Sequence, residues 1–122
     1  MQALRVERLS EDLSGVALID LPTPERAPGE VLVAVRAASL NFPDLLMTRG
    51  AYQFKPEVPF TSGLEFAGEV LEADPDSGFA RGDRVMGGNK TGAFADLLRC
   101  KKRFEDLIFQ MTWNHISIIF NR

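Results

Sequence analysis

Apolar positions along this chain come in short runs cut by turn residues, a pattern of strands rather than of long helices. Ala3 to Val6 and Gly15 to Leu21 are two such runs, and the polar cluster Ser10-Glu-Asp-Leu-Ser-Gly15 between them predicts two strands joined by a loop. Pro22, Pro24 and Pro28 then hold the chain irregular, and Pro28-Gly29 predicts a turn before "EVLVAVRAAS". That stretch alternates: Val31, Val33, Val35 and Ala37 share one face, while Leu32, Ala34, Arg36 and Ala38 share the other, which Arg36 keeps partly wet.

One helix is expected, in "SLNFPDLLMTRG" from Ser39 to Gly50. Pro43 suits the first helical position, where its missing N–H costs nothing, and Phe42 is the expected cap. Asp44 falls in the first turn, where the positive end of the helix dipole favours a carboxylate, and Gly50 can end the helix in a left-handed conformation. Two prolines discourage regular structure until Gly63, after which Phe66 to Ala73 predicts a strand closed by the turn Asp74-Pro-Asp-Ser-Gly78. Brief apolar segments at Val85-Met86 and in "GAFADLLRC" complete the set. Short strands with one helix predict a mainly β (α+β) domain, a small barrel or sandwich.

Composition narrows the setting. A chain of 122 residues suits one domain with a sizeable core. Its net charge of −3, with no basic stripe, argues against a nucleic-acid partner. Cys100 is the only cysteine, which rules out an internal disulfide and a thiolate cluster, and suits an intracellular, cytoplasmic protein. The first residues lack a signal peptide's apolar core, and no apolar run reaches the ~18 residues of a membrane span, so a soluble protein without a membrane partner is expected.

The end of the chain differs in kind. From Lys101 to Arg122 there is neither Gly nor Pro, and that segment carries net +2 against −5 for the preceding hundred residues. Phe104, Leu107, Ile108 and Met111 follow helical spacing, whereas "ISIIF" suits a strand, and both alternatives stay open. The expected division is a domain over residues 1–100 and an atypical tail over 101–122.

Four motifs in order, "PGEVLVAVRAASLNFPDLLMTRGAY", "PFTSGLEFAGEV", "GFARGDRVMG" and "GAFADLL", cover most of Pro28 to Leu98. Together they resemble the N-terminal GroES-like catalytic domain of the medium-chain dehydrogenase/reductase superfamily, in its zinc-less quinone oxidoreductase branch. The resemblance implies a partly open β-barrel with one or a few short helices, facing a second, dinucleotide-binding Rossmann domain, with NADPH in the cleft. It also implies a small quinone or conjugated carbonyl as acceptor. The zinc-dependent relatives place Cys where Asn41 stands and His where Leu64 stands, so no zinc is expected.

The resemblance places Asn41 at the nicotinamide and substrate site, as a catalytic and cofactor-binding residue, and Asp44 at a cofactor-side position. The other reading of Asn41 is an amide that satisfies loop backbone; capping alone accounts for Asp44. Tyr52, the only tyrosine, either donates to a substrate oxygen or packs its ring and wets its hydroxyl. With Asn41's amide free, Asn41 and Tyr52 would orient the acceptor and stabilise its developing oxyanion. Glu65, in the pattern G-x-E-x-x-G, is expected in an ion pair with an arginine such as Arg84 or Arg36. Ser39, Ser62 and His115 form no nucleophilic triad, and "GGNKTG" lacks the spacing of a phosphate loop and suits a hairpin loop. A G-x-G-x-x-G fingerprint is missing, so the chain is expected to be truncated and inactive alone. The competing expectation is a non-enzymatic interaction module that forms a homo-oligomer through the face a second domain would cover.

Overall fold

The computed structural model describes residues 1–101 and the backbone of 107–110. The fold is mainly β, with one short helix and two antiparallel sheets that do not close into a barrel among the described residues. The first run becomes β1 (Gln2–Val6), and the second becomes β2 (Val16–Asp20), its antiparallel partner. "EVLVAVRAAS" is β3 (Glu30–Ser39), and the helix α1 spans Phe42–Thr48. Then follow β4 (Phe60–Thr61), β5 (Glu65–Glu72), β6 (Arg84–Gly88), β7 (Leu97–Lys101) and β8 (Leu107–Gln110).

One sheet runs β2-β1-β4 and the other β7-β3-β5-β6-β8. The two-residue β4 was not expected directly after Pro59; it forms because β1 pairs it, Val6 opposite Phe60. β8 falls within the helical spacing of Phe104, Leu107, Ile108 and Met111 and corrects it at Leu107–Gln110, where the backbone is a strand paired with the otherwise free edge of β6. The "ISIIF" segment lies outside the described residues.

The core follows from β-branched residues on pleated surfaces. Val31, Val33, Phe66, Val70, Val85, Ala93, Leu98 and Cys100 form one buried cluster. Val33, Val70 and Val85 are fully sealed, each burial contributing roughly 1.5–3 kcal/mol. The expected alternation fails along β3: Val31, Leu32 and Val33 are all buried, with a register shift between Leu32 and Val33, and past a second shift at exposed Arg36 both Val35 and Ala38, expected on opposite faces, pack against the core. The second shift, between Val35 and Ala37, brings Gly68 against Ala34, where a Cβ would overlap the Ala34 carbonyl oxygen.

Residues 93–96 stitch the sheets together. Phe94 N–H donates to Ser62 O, Leu4 N–H to Phe94 O, and Val35 N–H to Asp96 O, all within 2.8–2.9 Å. This seam brings Ser62 and Gly63 beside the start of α1. Gly63 itself has φ +103°, and a Cβ there would meet the Phe94 nitrogen at 2.6 Å, so only glycine passes without strain. The smaller cluster of Val6, Met47 and Phe60, with Val16, Tyr52 and Leu64 packed on it, seats α1 against the three-stranded sheet.

Candidate functional site

The site forms where the β3–β5 ladder ends. Ser39 and Glu65 are its last rung, directly opposite each other, and the chain turns from Ser39 into α1. Asn41 is extended (φ −117°, ψ 157°) and is itself the N-cap, displacing Phe42 from that expected role. Its N–H donates to Asp44 Oδ2 at 2.8 Å, and the Asp44 N–H returns to the Asn41 main-chain oxygen at 3.0 Å, so the pair occupies the two ends of a capping box. The helix ends as expected, with Gly50 at φ +69°.

The side-chain amide of Asn41 is not free, which corrects the expectation of a donor open to a ligand. Its Nδ2 lies 3.1 Å from Glu65 Oε2, 3.1 Å from Ser39 Oγ and 3.3 Å from Ser39 O. Glu65 is likewise not in the expected arginine pair: it takes the Ser39 hydroxyl at 2.6 Å, while Arg36 reaches Glu69 at 3.4 Å. Strand register decides this, because Ser39 faces Glu65 across the ladder, and β3 bulges at Arg36 opposite Gly68 and Ala67. The hydrogen bonds from Ser39 and then Asn41 hold Glu65 below the usual carboxylate range.

Asp44 is shifted the other way. At 3% exposure, burial raises its pKa, and the Glu65 charge adds to that; the backbone N–H groups of Asn41 and Gly63 oppose it. Its Oδ1 makes no hydrogen bond that meets ordinary geometry, and neither does the buried Ser62 Oγ. The lip around this polar knot is apolar: Leu40 is 76% and Phe42 70% exposed, one on each side of Asn41.

Tyr52 lies beyond the other end of α1, half-buried on Val6, Met47 and Phe60, and no hydrogen bond joins it to Asn41. Phe54, two residues on, carries the Lys90 ammonium 5.3 Å above its ring, tying the expected loop of "GGNKTG" to this segment. Leu64 packs on the same apolar cluster. A separate cavity of about 260 Å³, lined by Leu4, Leu18, Val35, Ala37 and Phe94, opens between the sheets and includes none of Asn41, Asp44 or Tyr52. Among the described residues no three of His, Cys, Asp or Glu gather as a metal site, and no helix is long and apolar enough to cross a membrane. Sequence reasoning missed Ser39 as a member of the site; its place one residue before Leu40-Asn41, at the end of an alternating strand, was the available signal.

Residues 27–109 match the alcohol dehydrogenase GroES-like domain. The chain is 49% identical over 70 residues to quinone oxidoreductase-like protein 2 of Mus musculus, which covers 57% of this chain and 20% of the mouse protein. It thus spans about a fifth of the length of the curated relatives it matches. Among solved structures, a probable oxidoreductase from Mycobacterium abscessus superposes with a TM-score of 0.77 at 42% identity, over 83% of this chain and 32% of that one. The quinone oxidoreductase of Thermus thermophilus, also solved in complex with NADPH, gives a TM-score of 0.69 at 34% identity, over 84% of this chain and 30% of that one.

Proposed function

Since the chain belongs to the alcohol dehydrogenase GroES-like domain family, we propose that it forms the catalytic-domain wall of a cytoplasmic, NADPH-dependent reductase of quinones or conjugated carbonyls. The observation that carries this reading is the polar knot of Ser39, Asn41 and Glu65 set inside an apolar lip, in a chain whose relatives include quinone oxidoreductase-like proteins. The knot and Tyr52 lie within residues 1–100, which we take as the catalytic-domain unit.

The residues fit one end of a dinucleotide. Leu40 and Phe42 offer exposed apolar surface to a flat ring, and Asn41 stands between them with its orientation fixed. Asp44 supports this wall from beneath by holding the Asn41 N–H. Phosphate and ribose recognition is a task for residues elsewhere, because no G-x-G-x-x-G spacing occurs in the sequence. When bound, NADPH supplies the hydride. Both hydrogens of the Asn41 amide face acceptors of the chain itself, so the hydrogen bond to a developing oxyanion falls to the Tyr52 hydroxyl, whose ring is anchored on Met47 and Phe60. We place no zinc here, because Asn41 and Leu64 supply neither thiolate nor imidazole at the positions the zinc-dependent relatives use.

The test joins residues 1–110, which keep β7 and β8 whole, to a cofactor domain from a zinc-less relative and follows NADPH oxidation with benzoquinone as acceptor. Turnover by the joined protein and none by the 122-residue chain supports the reading; turnover by the chain alone contradicts the two-walled site. Self-association through the exposed Leu40 and Phe42 is the competing reading, and light scattering that shows a dimer lost on Phe42→Ser would favour it.

A further inference from the structure

β7 leaves β3 before β3 ends. Its last rung on that strand sets Leu97 opposite Ala34, and one further bond follows, from Val35 N–H to Asp96 O at 2.9 Å. There the chain crosses to the other sheet: the Asp96 N–H that would close a rung on Val35 C=O donates to Gln2 O at 3.0 Å, and Leu4 N–H donates to Phe94 O at 2.8 Å. Residues 36–39 of β3 run on with no strand beside them on this flank among the described residues. Register fixes which groups are left over. Asn89 N–H donates to Leu64 O, so along β5 Phe66 and Gly68 also face β6, while Glu65 and Ala67 face β3. Ala38 stands opposite Phe66 and therefore turns its N–H and C=O the other way, onto the open flank beside Val35 C=O. No hydrogen bond reaches these three groups among the described residues.

The open flank borders the cavity of about 260 Å³ between the sheets, whose other walls are Leu4, Leu18, Phe94 and small alanines. An N–H and a C=O from one residue, side by side on an apolar wall, are half of a ladder rung; their complement is the C=O and N–H of another extended backbone. The volume holds small side chains and is too narrow for a helix, about 10 Å across. Arg36 is the one charged residue on the cavity wall among the described residues, and its guanidinium is engaged only by Glu69, at 3.4 Å. We infer that this flank of β3 is a strand-addition site for an extended segment of another polypeptide, with small apolar side chains toward the cavity and a carboxylate beside Arg36. The site holds neither Asn41 nor Tyr52 and stands independently of the proposed reductase chemistry.

NMR on the full 122-residue chain tests this. In the free chain the Ala38 amide should exchange its hydrogen at least about tenfold faster than that of Val35, which is bonded to Asp96. An Ala38 amide already protected, whether by residues 111–122 or by a second copy of the chain, overturns the inference. The capped peptide acetyl-TVAVET-amide is then added at millimolar concentration. It should shift the Ala38 amide and slow its exchange, while its fully N-methylated counterpart, with the same side chains and no backbone donor, should do neither. Arg36→Glu should weaken binding of this peptide roughly two- to fivefold, and acetyl-TVAVKT-amide should recover the loss, as expected of an exposed ion pair. No response of Ala38 to the peptide, or an equal response to the N-methylated form, overturns strand addition. Binding that ignores both charge exchanges overturns the acidic partner.

Discussion

At one end of β3, Val31 and Val33 are sealed against Phe66, Val70 and Val85; at the other, Ser39 and the following Asn41 meet Glu65 in a polar knot beside exposed Leu40 and Phe42. Both ends are the same ladder, β3 against β5. The buried end is held by packing, in which any atom can be replaced by another of like size and polarity. At the open end the identities of donors and acceptors matter, because three acceptors and one NH2 permit a single arrangement. A stable ladder thus ends in side chains whose orientation it dictates but whose chemistry it does not need.

If the buried end is held by packing, the largest loss should come from emptying it. Phe66→Ala is expected to cost about 3–5 kcal/mol of unfolding free energy in urea, as for other buried aromatics. A cost near that of a surface change would mean that this cluster is not the core. Overfilling the same ladder should cost less: Gly68→Ala presses a methyl onto the Ala34 carbonyl and Val33 Cγ1, for roughly 1–3 kcal/mol. Thermal unfolding that leaves Gly68→Ala unchanged would show that the register shift at Arg36 can relax.

The open end should show little cost at neutral pH but opposite pH responses from its two carboxyls. The raised pKa of Asp44 means that the folded state binds its proton more tightly than the unfolded state does. Stability from Asp44 is therefore present below pH 3.8 and lost as pH rises through the raised folded value. Glu65 is the reverse: its contribution is present above pH 4.5 and lost as pH falls through the lowered folded value. The unfolding midpoint of Asp44→Asn, relative to the parent, should accordingly climb as pH rises from about 3 to about 7, and that of Glu65→Gln should fall. Shifts of the same sign would erase the distinction between the two groups. At about pH 7, Glu65→Gln should stay within about 0.5 kcal/mol of the parent, as an exposed substitution does.

The buried end was the more legible of the two in the sequence. Alternation in "EVLVAVRAAS", the turn at Asp74–Gly78 and the glycine after "LLMTR" place β3, β5 and α1 to within a residue or so, because each reports a local preference of the backbone. β4 was not legible, since Phe60–Thr61 is a strand only by virtue of β1 beside it. The partner of Glu65 was misread for a related cause. Formal charge points to an arginine, whereas strand register sets a serine and an asparagine within reach, and register depends on a bulge that no local pattern reveals. Asn41 could be placed from the motifs, but the direction of its amide could not.

The central claim is that fold and chemistry are separable, along this ladder and again at Tyr52, whose ring packs on the smaller cluster while its hydroxyl carries the proposed chemistry. It is tested most directly by Tyr52→Phe in the protein joined to a cofactor domain, reading turnover and thermal unfolding on the same sample. The ring stays on Val6, Met47 and Phe60, so the unfolding midpoint should hold, while kcat for quinone reduction should drop by about tenfold or more on loss of the one hydroxyl. Unchanged kcat, or a lowered midpoint that accounts for the lost turnover, would contradict the account.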